Sequence, residues 1–128
     1  MPVVELIDYR PGTGWVVDRC GELAVTHHGR VVVEARSPSA ALGLDAEELP
    51  VSDAVKASGS FYDGVADGLL RIRSDGRLDA ALAAATKQPV GESWRIGRKA
   101  GKDVCPLVAA TMAFFALTSD AGSRSYAY

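Results

Sequence analysis

Apolar and polar residues alternate in the first third of the chain. Residues 22–27 show this period of two, which is typical of a strand that is buried on one face, and residues 30–36 carry three consecutive valines, Val31, Val32 and Val33, which favour a second strand. His28 and Gly29 lie between them and suit a tight turn. The pattern therefore predicts a β-hairpin over residues 22–36.

The middle of the chain carries helix signals. Ser37 and Pro38 suit the start of a short helix, because serine caps the first turn and proline lacks only an N–H that has no helical partner there. Gly43 suits its end. From apolar spacing, capping residues and alanine content, further helices are predicted within residues 46–49, 52–57, 61–72 and 78–87.

The C-terminal part is more apolar. Residues 92–99 alternate and predict a half-buried strand. Residues 104–118 are apolar and contain Pro106, so they predict either a helix that begins near this proline or a long strand. The turn-rich segments on both sides favour the strand, and a last strand is predicted over residues 124–128.

Length and composition indicate one domain of the soluble globular class. The chain has 128 residues, of which 48% are hydrophobic, and a formal net charge of −2. This near-neutral balance argues against nucleic acid as the main partner. Residues 1–8 lack a secretory signal pattern, and the longest apolar run is too short to span a bilayer. We therefore expect a cytoplasmic protein without membrane contact.

No motif for catalysis or for metal or cofactor binding emerges from the sequence. Cys20 and Cys105 are far apart, and each is predicted to be a small buried hydrophobic residue. His27 and His28 are adjacent, so in a strand they point to opposite faces and do not chelate one metal ion. We therefore assign no catalytic residue, metal or cofactor.

The predicted order, two strands, several helices and three strands, is that of a PAS domain. Residues 29–49, GRVVVEARSPSAALGLDAEEL, resemble the family's succession of glycine, strand, small residues, an apolar-glycine pair and Glu-Glu-Leu. Residues 92–122, ESWRIGRKAGKDVCPLVAATMAFFALTSDAG, are similar to its Trp-containing strand, turn, Val-rich strand and Asp-x-Gly turn. The resemblance covers residues 22–128, with residues 1–21 as a flanking segment. It implies an α+β fold with a five-stranded antiparallel sheet and short helices on one face.

The resemblance also bears on cofactors. Haem-binding PAS domains carry a histidine on the helix that matches residues 78–87, and this stretch has none. Flavin-binding LOV domains carry an Asn-Cys-Arg-Phe-like motif, which is absent as well. Residues 51–72, which shape the ligand pocket in the family, do not match its pattern. The resemblance is thus to a PAS domain without haem or flavin.

The inner face of the predicted sheet and the helices above it would line any ligand cavity. A small, largely apolar ligand suits such a lining, although the same side chains also suit a filled core. The predicted ligand-binding residues are Phe61, Tyr62, Leu69, Trp94, Ile96, Val108 and Met112.

The predicted strand over residues 104–118 is apolar on both faces, so both faces must be covered. Either the N-terminal segment folds over the outer face, or a second copy or another protein covers it. The predicted interface residues are Leu107, Ala109, Phe115 and Leu117.

Three functions are compatible with these patterns. The first is a non-enzymatic PAS-like sensory domain that binds a small apolar ligand or a protein partner and signals through its sheet face, in signal transduction or transcription regulation. The second is a small α+β enzyme or biosynthetic accessory protein, with Asp53, Tyr62, Asp63 or His27 near a polar cavity. The third is a roadblock-type dimeric scaffold, which requires residues 104–118 to be helical.

Overall fold

The computed structural model describes residues 1–27, 30–99, 102–119 and 125–127. Its helices are α1 (Val16–His27), α2 (Val51–Ala66), α3 (Gly76–Ala84) and α4 (Cys105–Ser119), with a 3₁₀ turn at Ser39–Leu42. Its strands are β1 (Val3–Val4), β2 (Arg30–Glu34), β3 (Glu47–Leu49), β4 (Arg71–Ile72), β5 (Ala85–Val90), β6 (Ser93–Arg98) and β7 (Ser125–Ala127). The fold is therefore mixed α+β, as predicted.

Strand β2 is the centre of a parallel sheet. It pairs with β3 on one edge and with β7 on the other, in the order β3-β2-β7. Val32 and Val33 point to opposite faces, and both are fully buried. A continuous valine run of this kind is typical of a parallel strand that is covered on both faces. The predicted strand over residues 30–36 is thus confirmed as far as Glu34, and Ala35 and Arg36 form a turn instead.

Helix α4 corrects the prediction of a strand over residues 104–118. Its sequence contains four alanines, two leucines and a methionine, all good helix formers, and only three β-branched residues. Pro106 lies in the first turn, where a missing N–H costs nothing. The helix is apolar all round because it is covered on several sides: it packs against α2, α3, β1, β2 and β7.

Two hydrophobic clusters meet at α4. The first joins α2, α3 and α4 and includes Phe61, Leu78 and Phe114. The rings of Phe61 and Phe114 pack edge to face, with their centroids 6.1 Å apart. The second joins β2 and α4 through Val32, Met112 and Ala116. Val4 of β1 packs against the first cluster, so the N-terminal segment shares this core.

Helix α1 corrects the first arm of the predicted hairpin. Residues 22–27 belong to this helix, and the proposed turn at His28 and Gly29 lies outside the described residues. The residues of α1 that are shielded from solvent recur at helical spacing: Val16, Arg19, Cys20, Leu23, Ala24 and His27. The helix also crosses the boundary expected between residues 21 and 22.

The middle of the chain differs from the prediction in its helix lengths. One continuous helix, α2, covers the first of the two predicted over residues 52–57 and 61–72 and the second as far as Ala66, whereas residues 71–72 form strand β4. Gly43 ends the 3₁₀ turn in a left-handed conformation, as expected, but residues 47–49 form strand β3 instead of a helical turn, because they pair with β2. Helix α3 ends at Ala84, and residues 85–87 join strand β5.

The capping residue of α3 is Asp75. Its carboxylate accepts hydrogen bonds from the backbone N–H and the guanidinium of Arg77. These bonds, chiefly the one from the guanidinium, lower the pKa of Asp75 to about 2. The start of α3 therefore keeps its anionic cap at neutral pH.

The described strands do not form the single five-stranded antiparallel sheet implied by the PAS resemblance. They form three small sheets: β3-β2-β7, the parallel pair β1-β4 and the antiparallel hairpin β5-β6. The hairpin confirms the predicted strand over residues 92–99. Because both neighbours of β2 run parallel to it, the chain needs long connections: the 3₁₀ turn lies between β2 and β3, and α2, α3 and α4 lie between β3 and β7.

Gly64 allows α2 and α4 to approach each other. A Cβ atom at this position would lie 2.9 Å from Leu70 Cδ2 and 3.2 Å from the Phe114 ring. We expect Gly64→Ala to lower the free energy of unfolding by about 1–2 kcal/mol, because overpacking outweighs the gain in helix propensity. Urea denaturation measures this change.

Gly59→Ala is the matched control, since a Cβ atom there meets nothing within 4 Å in the same helix. It should leave stability unchanged or raise it by up to about 1 kcal/mol. Equal effects of the two substitutions would contradict the close approach at Gly64.

Candidate functional site

A small cavity lies at the carboxyl end of β2. Its volume is about 360 Å³, and its walls come from the end of β2 with the turn that follows, from the β5-β6 hairpin and from the start of α4. We call it the carboxylate pocket, after Glu34 and Asp103, which both line it. Crevices at the carboxyl ends of parallel strands are common ligand sites, because the loops that leave the sheet diverge there.

Glu34 is the last residue of β2. The Nη2 atom of Arg95, on β6, lies 2.8 Å from Glu34 Oε1 and 3.0 Å from Oε2. The two side chains are 16% and 24% exposed, so this ion pair is partly shielded from water. It joins the parallel sheet to the hairpin across the pocket.

A tight turn after β2 fixes the position of Glu34. The Ser37 hydroxyl donates to the Glu34 carbonyl oxygen at 2.5 Å, and the Ala35 N–H donates to the Leu49 carbonyl oxygen at 2.8 Å. Arg36 adopts a φ of 63°, a left-handed conformation that is uncommon for a residue with a side chain. The chain thus turns away from the sheet immediately beyond the carboxylate.

Asp103 stands just before α4. Its Oδ1 accepts a hydrogen bond from the Cys105 N–H at 2.9 Å, as a helix-capping carboxylate does. Its Oδ2 accepts a hydrogen bond from the Tyr9 hydroxyl. Asp103 therefore joins the start of α4 to the N-terminal segment while it lines the pocket.

The β5-β6 hairpin forms the third wall. Gln88 pairs with Arg95 and Thr86 with Gly97 in the ladder, so these four residues share one face of the hairpin. A Cβ atom at Gly97 would lie 2.9 Å from Gln88 Cβ and 3.1 Å from Thr86 Oγ1. Glycine at this position leaves room for the Gln88 side chain beside the pocket.

Positive charge is concentrated in and just after this hairpin. Residues 85–102 contain five Lys or Arg and one Glu, a formal charge of +4, whereas the whole chain carries −2. On the other face of the hairpin, the Lys87 ammonium lies 4.3 Å from the centroid of the Tyr62 ring and 4.6 Å from a ring centroid of Trp94. Of this basic segment, Arg95 contacts a carboxylate of the pocket, whereas Lys87 lies on the opposite face of the hairpin.

A second, larger cavity lies between the N-terminal segment, α1 and α4. Its volume is about 820 Å³, and Asp103 and Cys105 line both cavities. We call it the apolar groove, since most of its lining is hydrophobic, including Leu6, Trp15, Leu23, Ala109, Ala113 and Leu117.

Charged groups at the apolar groove are paired. Asp8 accepts hydrogen bonds from Arg10 and Arg19, chiefly from Arg10, and these bonds lower its pKa. The pKa of Arg19 is raised, mainly by its hydrogen bond to Glu22. Burial raises the pKa of the Cys20 thiol, which keeps the thiol protonated at neutral pH.

The predicted ligand-binding residues occupy different parts of the fold. Ile96 and Val108 line the carboxylate pocket. Phe61 and Met112 are buried in the two separate core clusters. The other three lie away from both cavities: Tyr62 and Leu69 are exposed, and Trp94 is half-buried against the Tyr62 ring. A common ligand for this set stays a prediction.

The predicted interface residues now lie on a helix rather than on one face of a strand. Leu107 is buried in the first core cluster, and Phe115 is half-buried. Ala109 and Leu117 are half-buried and line the apolar groove. Whether a partner contacts this helix stays a prediction.

The residues named for an enzymatic alternative are also dispersed. His27 lines the apolar groove, whereas Tyr62 and Asp63 are exposed on α2. Asp53, also on α2, lies 3.8 Å from the Lys56 ammonium. The predicted burial of Cys105 is wrong, since its side chain is exposed at the start of α4.

Sequence reasoning missed Glu34, Arg95 and Asp103. Two signals pointed to them: a charged residue directly after the valine run of β2, and an Asp two residues before a helix that begins with Cys-Pro. Reading residues 104–118 as a strand concealed the second signal, because a strand has no cap. No sequence pattern indicated Arg95, because its contact with Glu34 depends on the position of the hairpin opposite β2.

Within the described residues, no group of three or more His, Cys, Asp or Glu side chains is arranged to hold a metal ion. No helix in the described ranges has both the length and the apolar character needed to cross a membrane. Comparisons of the chain with models of known protein families, with curated proteins and with solved structures find no match.

Ser58 attaches the hairpin to α2. Its buried hydroxyl donates to the Ala54 carbonyl oxygen at 2.9 Å and accepts from the Ile96 N–H at 3.2 Å. We expect Ser58→Ala to lower the free energy of unfolding by about 1–3 kcal/mol, because the Ile96 N–H loses its partner. Urea denaturation measures the change.

Ser60→Ala serves as the control, because Ser60 is exposed on the same helix. It should change stability by less than about 0.5 kcal/mol. A Ser58 variant as stable as the Ser60 variant would show that this bond does not hold the pocket wall.

Proposed function

We propose that the protein hydrolyses phosphodiester bonds with the help of a divalent cation bound between Glu34 and Asp103. The observation that carries this proposal is that two carboxylates from distant parts of the chain line one small pocket at the carboxyl end of the central parallel strand. It takes up the enzymatic alternative of the sequence analysis, with a different set of residues.

The charges in the pocket favour a cation. Two carboxylates and one guanidinium, that of Arg95, give the lining a formal charge of −1. Mg²⁺ is commonly held by one or two carboxylates, and water and substrate phosphate oxygens complete its coordination. A pair of carboxylates is therefore sufficient for a cation that arrives with a phosphate-bearing substrate.

The basic segment over residues 85–102 supports a polyanionic substrate. Five basic residues against one acidic residue attract phosphates, although the net charge of the whole chain is negative. The expectation against nucleic acid rested on that net charge, which averages the basic segment with the acidic remainder. A nucleic acid strand is therefore the substrate class that we propose.

The proposed reaction is hydrolysis. A divalent cation, if bound there, would supply a more acidic coordinated water and a positive charge beside a phosphoryl oxygen. The water oxygen forms a bond to phosphorus, the bond between phosphorus and the leaving oxygen breaks, and the leaving oxygen gains a proton. Glu34 and Asp103 would hold the cation, and Arg95 would provide positive charge beside the negative charge that develops on the phosphoryl oxygens.

Calorimetric titration with MnCl₂ tests the cation site, and a fluorescently labelled oligonucleotide tests cleavage. We expect Glu34→Gln and Asp103→Asn each to weaken Mn²⁺ binding more than about tenfold, because each removes one unit of attractive charge. Asparagine at position 103 retains an oxygen for the cap on Cys105, so the start of α4 is preserved.

Glu48→Gln is the control, since Glu48 is exposed on β3 and does not line the pocket. It should bind Mn²⁺ as the wild type does. The proposal fails if the wild-type protein binds no Mn²⁺, or if the Glu34 and Asp103 variants, shown to be folded by circular dichroism, bind it as tightly as the wild type.

The apolar groove supports a second candidate function. We propose, as the alternative, that the chain is a PAS-like sensory domain whose small apolar ligand occupies this groove. Its volume of about 820 Å³ is within the range of small-molecule sites, and side chains of the apolar helix α4 line it. Ala109 and Leu117, predicted for contact with a partner, are among these side chains.

Binding of 1-anilinonaphthalene-8-sulfonate tests the groove. We expect its fluorescence to rise with the wild-type protein and the rise to be lost in Ala113→Phe, because the larger side chain fills the groove. Ala80→Phe, at an exposed position of α3 outside the groove, is the control and should retain the signal. Equal signals from the two variants would place the dye elsewhere.

A further inference from the structure

The apolar groove lies between two helices that run side by side. At one end, Asp8 contacts Arg19 in the first turn of α1. Tyr9, the next residue, donates its hydroxyl to Asp103, just before α4. At the other end, the guanidinium of Arg30, three residues after α1, donates to a carbonyl oxygen near the end of α4. The two helices therefore have the same direction, and the groove extends along both.

The walls of the groove are apolar stripes of α1 and α4 that do not pack against each other. Among the described residues, α4 packs closely on α2, α3, β1, β2 and β7, whereas its backbone scarcely approaches that of α1. Ala109, Ala113 and Leu117 recur every four residues on α4 and are half-buried, although most of this helix is buried. Cys20 and Leu23, also half-buried, line the groove from α1. The apolar surface of both stripes is therefore open to an occupant between the helices.

The dimensions of the groove favour a narrow, extended occupant. On α4 its lining extends from Cys105 and Pro106 to Leu117, and the span from Pro106 to Leu117 is about 17 Å of helix. Spread over this length, the volume of about 820 Å³ gives a mean cross-section of about 50 Å². A helix with its side chains has a cross-section of about 80–110 Å², so the groove is too narrow for a helix of a partner protein or of a second copy. A hydrocarbon chain is narrow enough to enter.

One end of the groove carries a positively charged cluster. Arg10 and Arg19 both contact the carboxylate of Asp8, and all three residues line the groove. Two guanidiniums that share one carboxylate have a formal charge of +1. Glu22, the second partner of Arg19, does not line the groove, and Asp103, the other carboxylate at this end, accepts hydrogen bonds from two donors. Because Arg10 is 54% exposed, its guanidinium can contact a carboxylate of a ligand in addition to Asp8.

We infer that the apolar groove binds an unbranched fatty acid, with the alkyl chain between α1 and α4 and the carboxylate at the guanidiniums of Arg10 and Arg19. This inference rests on the second candidate function and names the class of its ligand. The apolar stripes remove the alkyl chain from water, which favours binding. The carboxylate stays at the exposed end of the groove, so its charge is not buried without a partner.

Calorimetric titration of the full chain with a series of saturated fatty acids, from hexanoate to hexadecanoate, tests the inference. We expect the affinity to rise about two- to fourfold for each added methylene, because each one leaves water, until the chain fills the groove. Adamantane-1-carboxylate, which carries the same head group on a compact skeleton, should bind at least tenfold more weakly than dodecanoate.

Three variants locate the ligand. Ala113→Phe fills the middle of the groove, so the rise in affinity should end at a shorter chain than in the wild type. Ala80→Phe, on α3 outside the groove, is the matched control and should reproduce the wild-type series. Arg10→Gln should weaken dodecanoate binding about three- to fivefold and leave the binding of dodecanol unchanged, because only the acid carries a charge.

The results distinguish this inference from the function on which it rests. An affinity that does not depend on chain length, or an Ala113→Phe variant that binds dodecanoate as tightly as the wild type, overturns the inference. If 1-anilinonaphthalene-8-sulfonate binds the wild type and not Ala113→Phe while the fatty acids show no dependence on chain length, the second candidate function stands and the fatty acid assignment fails. If neither the dye nor any fatty acid binds, both fail.

Discussion

The fold depends on the burial of α4. This helix is apolar on every side, so its stability depends on the elements that cover most of it. Helices α2 and α3 cover one side through Phe61 and Leu78, and β2 covers another through Val32. The two core clusters are therefore coupled through one helix, and the start of that helix carries Asp103 to the pocket.

The site follows from this arrangement. Asp103 is placed by the start of α4, Glu34 by the end of β2 and Arg95 by the hairpin that α2 holds through Ser58. Each belongs to a different element, and packing between these elements brings the three charges together. A substitution in the core is thus expected to alter the pocket even though the substituted residue does not line it.

Local sequence patterns correctly predicted those elements whose own preference for strand or turn is the structure that they adopt in the fold. The valine run of β2, the alternation of β6 and the glycine after the 3₁₀ turn were sufficient, because burial and backbone geometry act there at short range. They failed for α1 and α4, where alternation or an apolar run suits either type of element. Glu34 and Asp103 were missed since 69 positions separate them and only the tertiary fold places them on one pocket.

The order of strands in the parallel sheet has a consequence for synthesis of the chain. Strand β2 is complete after 34 residues, but one of its two neighbours, β7, is formed by residues 125–127. Until those residues leave the ribosome, one edge of β2 has no strand to pair with, and its valines lie in an incomplete sheet. Such an edge is a template for other chains, so the nascent protein is most exposed to aggregation during this interval.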